Sequence, residues 1–547
     1  MDRERQTLYE RLLTGLPAAA GSAPVRPSAA IVPWRRATGG GVEVYWVRRS
    51  PSMRFMGGWY AFPGGGLARS DAELALADSP AGCSESTFSP AEPEGDVSRR
   101  QQLGPDLLPG LAACAIRELF EETGLLLVAE EELAGTERPA PEVLAAARRR
   151  LLDKRGALAD LVSEHGWALS AGPLVFAGRW LTPPLSPLRF DNRFFLLRWP
   201  RDRVPQPSLM GSELDRGEWI RPAEALARWR RGDVLVAPPI LHILRVLSDA
   251  APETGLERLR HPDEANLGPL RRIEFRPGVI LLPLLTPTLP PATHTNAYLL
   301  GQRRVVLVDP ATPHRDETDR LRRAVAAAPS QDLRITAIWL THHHADHVGA
   351  VEAMRRDLGV PVCAHRLTAE RLQHHGLAVD EELRDGQVFD LGGDREFPVR
   401  VVHTPGHTRG HLCFFDETHR SLLAGDLAST LSTIVIDPPE GDMDAYVASL
   451  DRVIALRPRL LFPAHGPAVS PAVPTLEKLK RHRLEREEQV LATWRGGTRE
   501  PAAMVKAIYA DVPREIHPVA ERQLHAHLDR LRRHGRLRHS GEDSAGR

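Results

Sequence analysis

Cysteine is scarce in this chain. Four occur in 547 residues (Cys83, Cys114, Cys363 and Cys413), far apart and with no CxxC pair. That spacing argues against a disulfide-stapled scaffold and fits a reducing compartment. No apolar run reaches the roughly 18 residues that a membrane-spanning helix needs. An excess of either charge is also missing: Lys+Arg and Asp+Glu are 71 each, so no global field selects nucleic acid or a membrane surface. The opening MDRERQTLYERLL lacks the apolar segment of a secretory signal. Together these absences predict a soluble cytoplasmic protein and leave its oligomeric state open.

What is present is length. A chain of 547 residues exceeds one hydrophobic core and predicts several domains. Residues 1–27 read as an amphipathic stretch with an Ala/Gly/Pro tail. Residues 28–247 mix apolar strands (Ala29–Trp34, Val42–Val47) with helices expected at 110–123, 141–153 and 221–247. Within them, 72–109 is loop-like and rich in acidic, Pro and Ser residues, and is expected to be a solvent-exposed excursion. Residues 248–275 are polar and weakly periodic, which predicts a linker. A second run of short buried strands (GVILLPLL, NAYLLG, VVLVDP, ITAIWL) opens the span 276–475. Residues 476–540 read as a basic helical cap. No internal repeat is found, so the two halves are unrelated units.

The C-terminal half carries metal-ligand chemistry. Thr341-His-His-His-Ala-Asp-His347 follows the strand ITAIWL and sets His342, His344, Asp346 and His347 in the pattern HxHxDH. Imidazoles and a carboxylate are ligands that zinc prefers, and a loop leaving a strand can fold them around two ions. His407 (HTPGHT), Asp426 (LLAGDL) and His465 (LFPAHGP) follow, each after an apolar stretch and beside turn residues. This set resembles the metallo-β-lactamase superfamily over about residues 276–470. The resemblance implies an αββα sandwich holding two zinc ions, or iron or manganese. It assigns His342, His344 and His407 to one ion and Asp346, His347 and His465 to the other. Asp426 would bridge them, and Asp309 of VVLVDP would support the ligands. Pro310 and Ala311 stand where the family usually continues with Gly. His343, His403 and His411 read as structural or supporting. Such a centre hydrolyses esters, thioesters or phosphodiesters, with Asp346 as the catalytic proton-handling group. The basic tail, with Val519, Leu524, Leu528 and Leu531 at helical spacing, resembles the winged-helix appendage of lactamase-β-like endoribonucleases.

The N-terminal half carries carboxylates. In Arg117-Glu-Leu-Phe-Glu-Glu-Thr-Gly124 the helical period places Glu118, Glu121 and Glu122 within an arc of about 100°. Ala112, Ile116, Leu119 and Phe120 fall opposite and predict a core face. Three like charges on one arc suit a hard cation such as Mg²⁺ or Mn²⁺. This segment, with Phe62-Pro-Gly-Gly65 upstream, resembles a Nudix box over about residues 28–245. The box is split by an insertion, and Asp71 stands where the family has Glu. Long insertions there mark the coenzyme A diphosphatase branch. Arg49, Ser50, Arg54 and Gly58 match that branch's substrate-recognition signature, and WLTPP with RFDNRFF adds to the likeness. Tyr45-Trp46-Val47 replaces the signature's leading residues. The implied domain is an α/β/α sandwich in which Glu118, Glu121 and Glu122 are catalytic metal ligands.

The whole therefore reads as an α/β and α+β multidomain chain with two metal-dependent hydrolases. One would cleave a small nucleoside diphosphate-linked compound such as CoA or acyl-CoA. The other would hydrolyse an ester, thioester or phosphodiester, with RNA or a thioester as its substrate. Two alternatives remain: an RNA-binding endoribonuclease whose Nudix half only senses a nucleotide, and a glyoxalase II-like thioesterase.

Overall fold

The computed structural model describes residues 25–537 except 54–55, 84–106, 130–138, 184, 200–205, 262–272, 328–331, 394 and 511, and omits the side chains of 107–109. The chain divides into two compact units at Pro277/Gly278.

The first unit is built on one mixed sheet. Its strands are β1 (Val25–Arg36), β2 (Val42–Arg49), β3 (Tyr60–Ala61), β4 (Gly64–Gly66), β5 (Leu174–Leu181), β6 (Arg189–Arg198) and β7 (Leu214–Ile220). They run in the order β3-β2-β1-β6-β5, with β4 on β1 and β7 on β2. β1 pairs parallel with β6, and its middle is a continuous buried run, AAIVPW, as expected for a strand covered on both faces. The helix Leu107–Thr123 packs Ala112, Ile116, Leu119 and Phe120, all fully buried, against Ala29, Ile31, Phe176 and Phe195. The predicted core face is therefore the one used. Pro222–Arg230 lies against β2 and Pro252–Arg260 against β5. The last of these falls inside the span read as linker. A proline at its start, the buried Leu259 and an Arg260 Nε bond to the Phe176 carbonyl (3.1 Å) hold it in the unit.

The expected solvent-exposed excursion at 72–109 is corrected for its leading part. Leu74 is buried in the core, and Leu76 and Ala81 make β-bridges to Leu169 and Val175. Asp78 accepts bonds from Ser170 Oγ (2.8 Å) and from the amides of Ala171 (2.6 Å) and Gly172 (2.7 Å). A short carboxylate that satisfies the amides of a turn, preceded by two leucines, docks this stretch although its composition is loop-like. Residues 84–106 lie outside the described residues.

In the second unit one sheet runs β9 (Val279–Leu285), β10 (His294–Gly301), β11 (Arg304–Val308), β12 (Arg334–Trp339), β13 (Val362–Ala364) and β14 (Glu381–Glu382), numbered after β8 (Ile273–Arg276) of the first unit. A second sheet runs β15 (Val388–Asp390), β16 (Pro398–His403), β17 (Leu412–Asp416), β18 (Ser421–Ser429) and β19 (Leu460–His465). Trp339 meets Phe414 (5.0 Å) and Tyr298 meets Phe462 (5.9 Å) between the sheets. Helices Arg315–Ala326, Val351–Leu358 and Arg366–Gln373 cover the first sheet, and Met443–Ala455 and Ala472–Arg495 cover the second. The layers are helix, sheet, sheet, helix. Helices Pro501–Ile508 and His517–Arg533 close a small core with Val490 and Leu491, using Leu524, Leu528 and Leu531. Among the described residues no helix is long and apolar enough to cross a membrane.

Candidate functional site

Four chain segments meet at one edge of the second unit. β12 ends and releases the turn Thr341–His347. The β16–β17 loop carries His407, β18 carries Asp426, and β19 ends on His465. Asp426 sits where the β18–β19 register slips between Gly425 and Ser429, an irregularity that re-aims a side chain out of the ladder. Gly425 has φ +49°, and a Cβ there would stand 2.7 Å from His411 Nε2, so only glycine admits this geometry.

His342, His344, His407 and Asp426 converge in one group, and Asp346, His347 and His465 in another. His344 Nδ1 stands 3.0 Å from His342 Nε2 and 2.9 Å from His407 Nε2. Asp426 faces both groups. Its Oδ2 is 3.4 Å from His407 Nε2, and its Oδ1 is 3.3 Å from His465 Nε2 and 3.6 Å from His347 Nε2. Asp346 Oδ2 is 3.7 Å from His465 Nε2.

The far side of each ring explains these positions. Thr341 Oγ1 donates to Asp309 Oδ2 (2.6 Å) and so accepts from His342 Nδ1 (3.0 Å). His347 Nδ1 donates to Asp309 Oδ2 (2.8 Å), His407 Nδ1 to the Val435 carbonyl (2.7 Å) and His465 Nδ1 to the His294 carbonyl (3.0 Å). Each of these four rings therefore turns an Nε2 lone pair inward. His344 Nδ1 can offer at most one proton to two facing lone pairs. His347 Nε2 and Asp426 Oδ1 are buried with no hydrogen-bond partner. Such an electron-rich hollow fits cations. Burial first, and then repulsion from neighbouring imidazoles (His347 beside His342, His407 beside His344), holds His342 and His344 well below the usual imidazole range. Burial acts on His347 too, but Asp426 and Asp309 outweigh it and raise its pKa.

Two supports lie outside the ligand set: the sequence singled out His411 as structural or supporting and left Asn296 unassigned. His411 accepts the Asp426 amide on Nε2 (3.0 Å) and turns Nδ1 to Thr404 Oγ1 (2.8 Å), so it holds the backbone of Asp426. Asn296 Nδ2 donates to the carbonyls of Pro463 (2.9 Å) and Gly466 (2.8 Å), on either side of His465. Neither residue lies in the HxHxDH run, and only the fold brings them in.

In the first unit Glu118, Glu121 and Glu122 lie on Leu107–Thr123 beside β4. Arg117 forks onto Asp71 (Nε to Oδ1 2.7 Å, Nη2 to Oδ2 2.9 Å), reaches Glu118 (2.7 Å) and the Gly66 carbonyl (2.9 Å), and approaches Glu121 at 3.4 Å. Asp71 is fully buried. It holds the helix arginine from 46 positions away, across the inserted segment. Glu122 accepts the Gly64 amide (3.2 Å). A Cβ on Gly65 would meet Glu118 Oε1 at 2.2 Å, so this glycine lets the carboxylate approach the strand. Burial, with Glu121 adding to it against Arg117, pushes Glu118 up to about 7, and burial, with Glu118 adding to it, pushes Glu122 well above its usual range. Desolvated carboxylates of this kind fit a hard cation, although among the described residues they do not draw together as the histidine groups do. Arg49 lies close enough to lower the pKa of Glu122. Ser50 Oγ pairs with Ser52 Oγ (2.8 Å), and Gly58, at φ +79°, donates its amide to Arg49 (2.9 Å). Arg54 lies outside the described residues.

Comparison with known proteins shows which families the chain resembles. Residues 290–465 match the family model described as metallo-beta-lactamase superfamily, 16–247 the NUDT19 Nudix domain, and 501–546 the beta-lactamase associated winged helix domain. A beta-lactamase-like protein 2 homolog of Drosophila melanogaster is 30% identical over 263 residues, 45% of this chain and 84% of the relative. An atrochrysone carboxyl ACP thioesterase of Aspergillus chevalieri is 28% identical over 224 residues, 41% of this chain and 68% of the relative. A solved NUDIX hydrolase from Alicyclobacillus acidocaldarius is 33% identical, covering 44% of this chain and 98% of that one, with a TM-score of 0.35.

Proposed function

In a chain that belongs to both the Nudix and the metallo-β-lactamase families, each over its own stretch, we propose two separate hydrolytic centres that act on acyl-CoA-like compounds. The chain is a hydrolase with metal-binding domains. The observation that carries the finer reading is the pair of ligand groups facing a single Asp426, with four imidazoles locked by oxygen acceptors behind them.

His342, His344 and His407 would hold one zinc-like ion, Asp346, His347 and His465 the other, and Asp426 would bridge them. Bound there, the ions would acidify a water and polarise the carbonyl of a thioester. The chain's own part is to hold five ring nitrogens and two carboxylates in place. Asp346, less buried than Asp426, would receive a proton at its carboxylate. A relative named as an acyl carrier protein thioesterase supports a thioester as the substrate class. In the first unit Glu118, Glu121 and Glu122 would hold Mg²⁺ or Mn²⁺, whose charge would offset that of a diphosphate. Arg49, whose charge acts on Glu122, would with Ser50 and Gly58 recognise a substrate such as CoA.

An RNA substrate draws less support. Arg522, Arg530, Arg533 and Arg536 of the tail are ion-paired to Asp437, Asp444, Asp442 and Glu488, which removes much of the field that would attract a phosphate backbone.

The test is metal analysis of the full chain, followed by hydrolysis assays on acyl-CoA thioesters, CoA and RNA. About two transition-metal ions per chain, thioester cleavage lost in Asp346→Asn and Mg²⁺-dependent diphosphate cleavage are expected. A metal-free chain that takes up no zinc, or one that cleaves RNA and no thioester, overturns the reading.

A further inference from the structure

We propose that the C-terminal tail is a positioning element of the histidine centre and that its target is His407. The inference rests on the reading that this centre holds metal. His407 owes its ring orientation to one backbone carbonyl, that of Val435 (2.7 Å). Three tail side chains bracket that carbonyl. Arg483 donates Nη2 to the Ile434 carbonyl, Gln523 Oε1 accepts the Ile436 amide (3.1 Å), and Arg522 Nε pairs with Asp437 Oδ1 (2.7 Å). Residues 434, 436 and 437 are thus tied to the tail, while residue 435 between them is left to face the ligand.

A second route leads to the same histidine from the other side. Arg533 pairs with Asp442 Oδ2 (2.7 Å), and the Asp442 amide donates to the carbonyl of Gly406 (2.8 Å), the residue before His407. Gly406 has φ +142°, and a Cβ on it would collide with Tyr446 at 2.4 Å, so this stretch has one seat. Ile434, Ile436 and Ala526 of the tail helix share one apolar core. The segment is thus packed against the tail as well as bonded to it. Three of the arginines that give 476–540 its basic character, Arg483, Arg522 and Arg533, are spent on this brace.

The mechanism is outer-shell positioning. A ring held by its Nδ1–H presents Nε2 at one angle, and loss of such a partner typically lowers metal affinity ten- to a hundredfold. The second ligand group relies on Asp309 and on the His294 carbonyl, so it does not depend on the tail segment.

The experiment is zinc titration of the metal-stripped full chain against a chromophoric chelator, comparing wild type with Gln523→Met, Gln523→Glu, Arg522→Gln and His407→Ala. The expected result is a weakening of about tenfold in one binding step of Gln523→Met, the same step that His407→Ala removes. Gln523→Glu, which keeps the acceptor for Ile436, should restore it. Arg522→Gln, at a partly exposed pair, should fold normally and show a smaller loss in the same step. Unchanged affinities in folded Gln523→Met and Arg522→Gln overturn the proposal. So does an equal weakening of both steps alongside a lowered thermal midpoint, which would make the tail a general stabiliser. A wild-type chain that binds no zinc fails at the earlier reading, before any variant is compared.

Discussion

Asp71→Asn isolates the contact that closes the interrupted box of the first unit. The Arg117 guanidinium loses a bidentate carboxylate with bonds of 2.7 and 2.9 Å at a fully buried position. Breaking a buried pair by removing one partner costs about 3–5 kcal/mol, because the remaining charge is left desolvated. Arg117 keeps the Gly66 carbonyl and Glu118, which places the expected loss at the low end, about 3 kcal/mol. Urea unfolding followed by tryptophan fluorescence reads it well, since eight of the ten tryptophans precede residue 278. Asp71→Glu, which installs the residue the family uses, should not be neutral. The Asp71 carboxylate also accepts the Ala68 amide (2.8 Å) in a tight turn, and an added methylene in a packed site costs about 1–3 kcal/mol. With its arginine turned wholly toward Glu118 and Glu121, the Asn variant should also need more Mg²⁺ for half-maximal diphosphate cleavage. A stability change under about 1 kcal/mol with an unaltered Mg²⁺ requirement would refute the argument that this pair is buried and essential.

The remaining predictions concern other parts of the chain. Asp346→Asn should remove the C-terminal activity and spare the Nudix one, and Glu122→Gln should do the reverse. One variant that silences both in a folded protein would mean that the centres are not separate. Asp309→Asn breaks the acceptor shared by Thr341 and His347 and should weaken zinc binding about ten- to a hundredfold, measured by chelator competition. Leu74→Ala should cost about 2–3 kcal/mol in the same urea assay. A change near zero would return the start of the inserted segment to a surface loop. At Asp191 burial favours the neutral acid, but Arg179 and Arg193 outweigh it and hold the carboxyl below its usual range. Its folded pKa is thus lower than its unfolded one. The stabilisation is full above about pH 4 and is lost as pH falls through the folded value. Asp191→Asn should therefore flatten the acid limb of first-unit stability, and an identical pH profile would count against the ion pair.

How much could be read in advance depends on how far apart in the chain the partners lie. The candidate ligands announce themselves by residue type in short runs: His342 to His347 sit within six positions, and Glu118, Glu121 and Glu122 within five. A helical period separates the three glutamates from Ala112, Ile116, Leu119 and Phe120, and those four are buried as that period requires. The docking of Leu74 and Asp78 was not legible, because a loop-like composition does not tell which turn elsewhere lacks an acceptor. The basic tail was legible as charge and not as destination: its arginines meet Asp437, Asp442 and Asp444, acids that nothing in the local sequence marks out. The sequence by itself determined the families, the ligand types and their order, since these are properties of side chains and of local period. Apart from Asp309, which the sequence set behind the ligands, only the tertiary structure decided what holds them in place. The groups behind His407 and His465 are the carbonyls of Val435 and His294. Every residue carries a carbonyl, so it is the folded path of the chain, and no residue type, that selects these two.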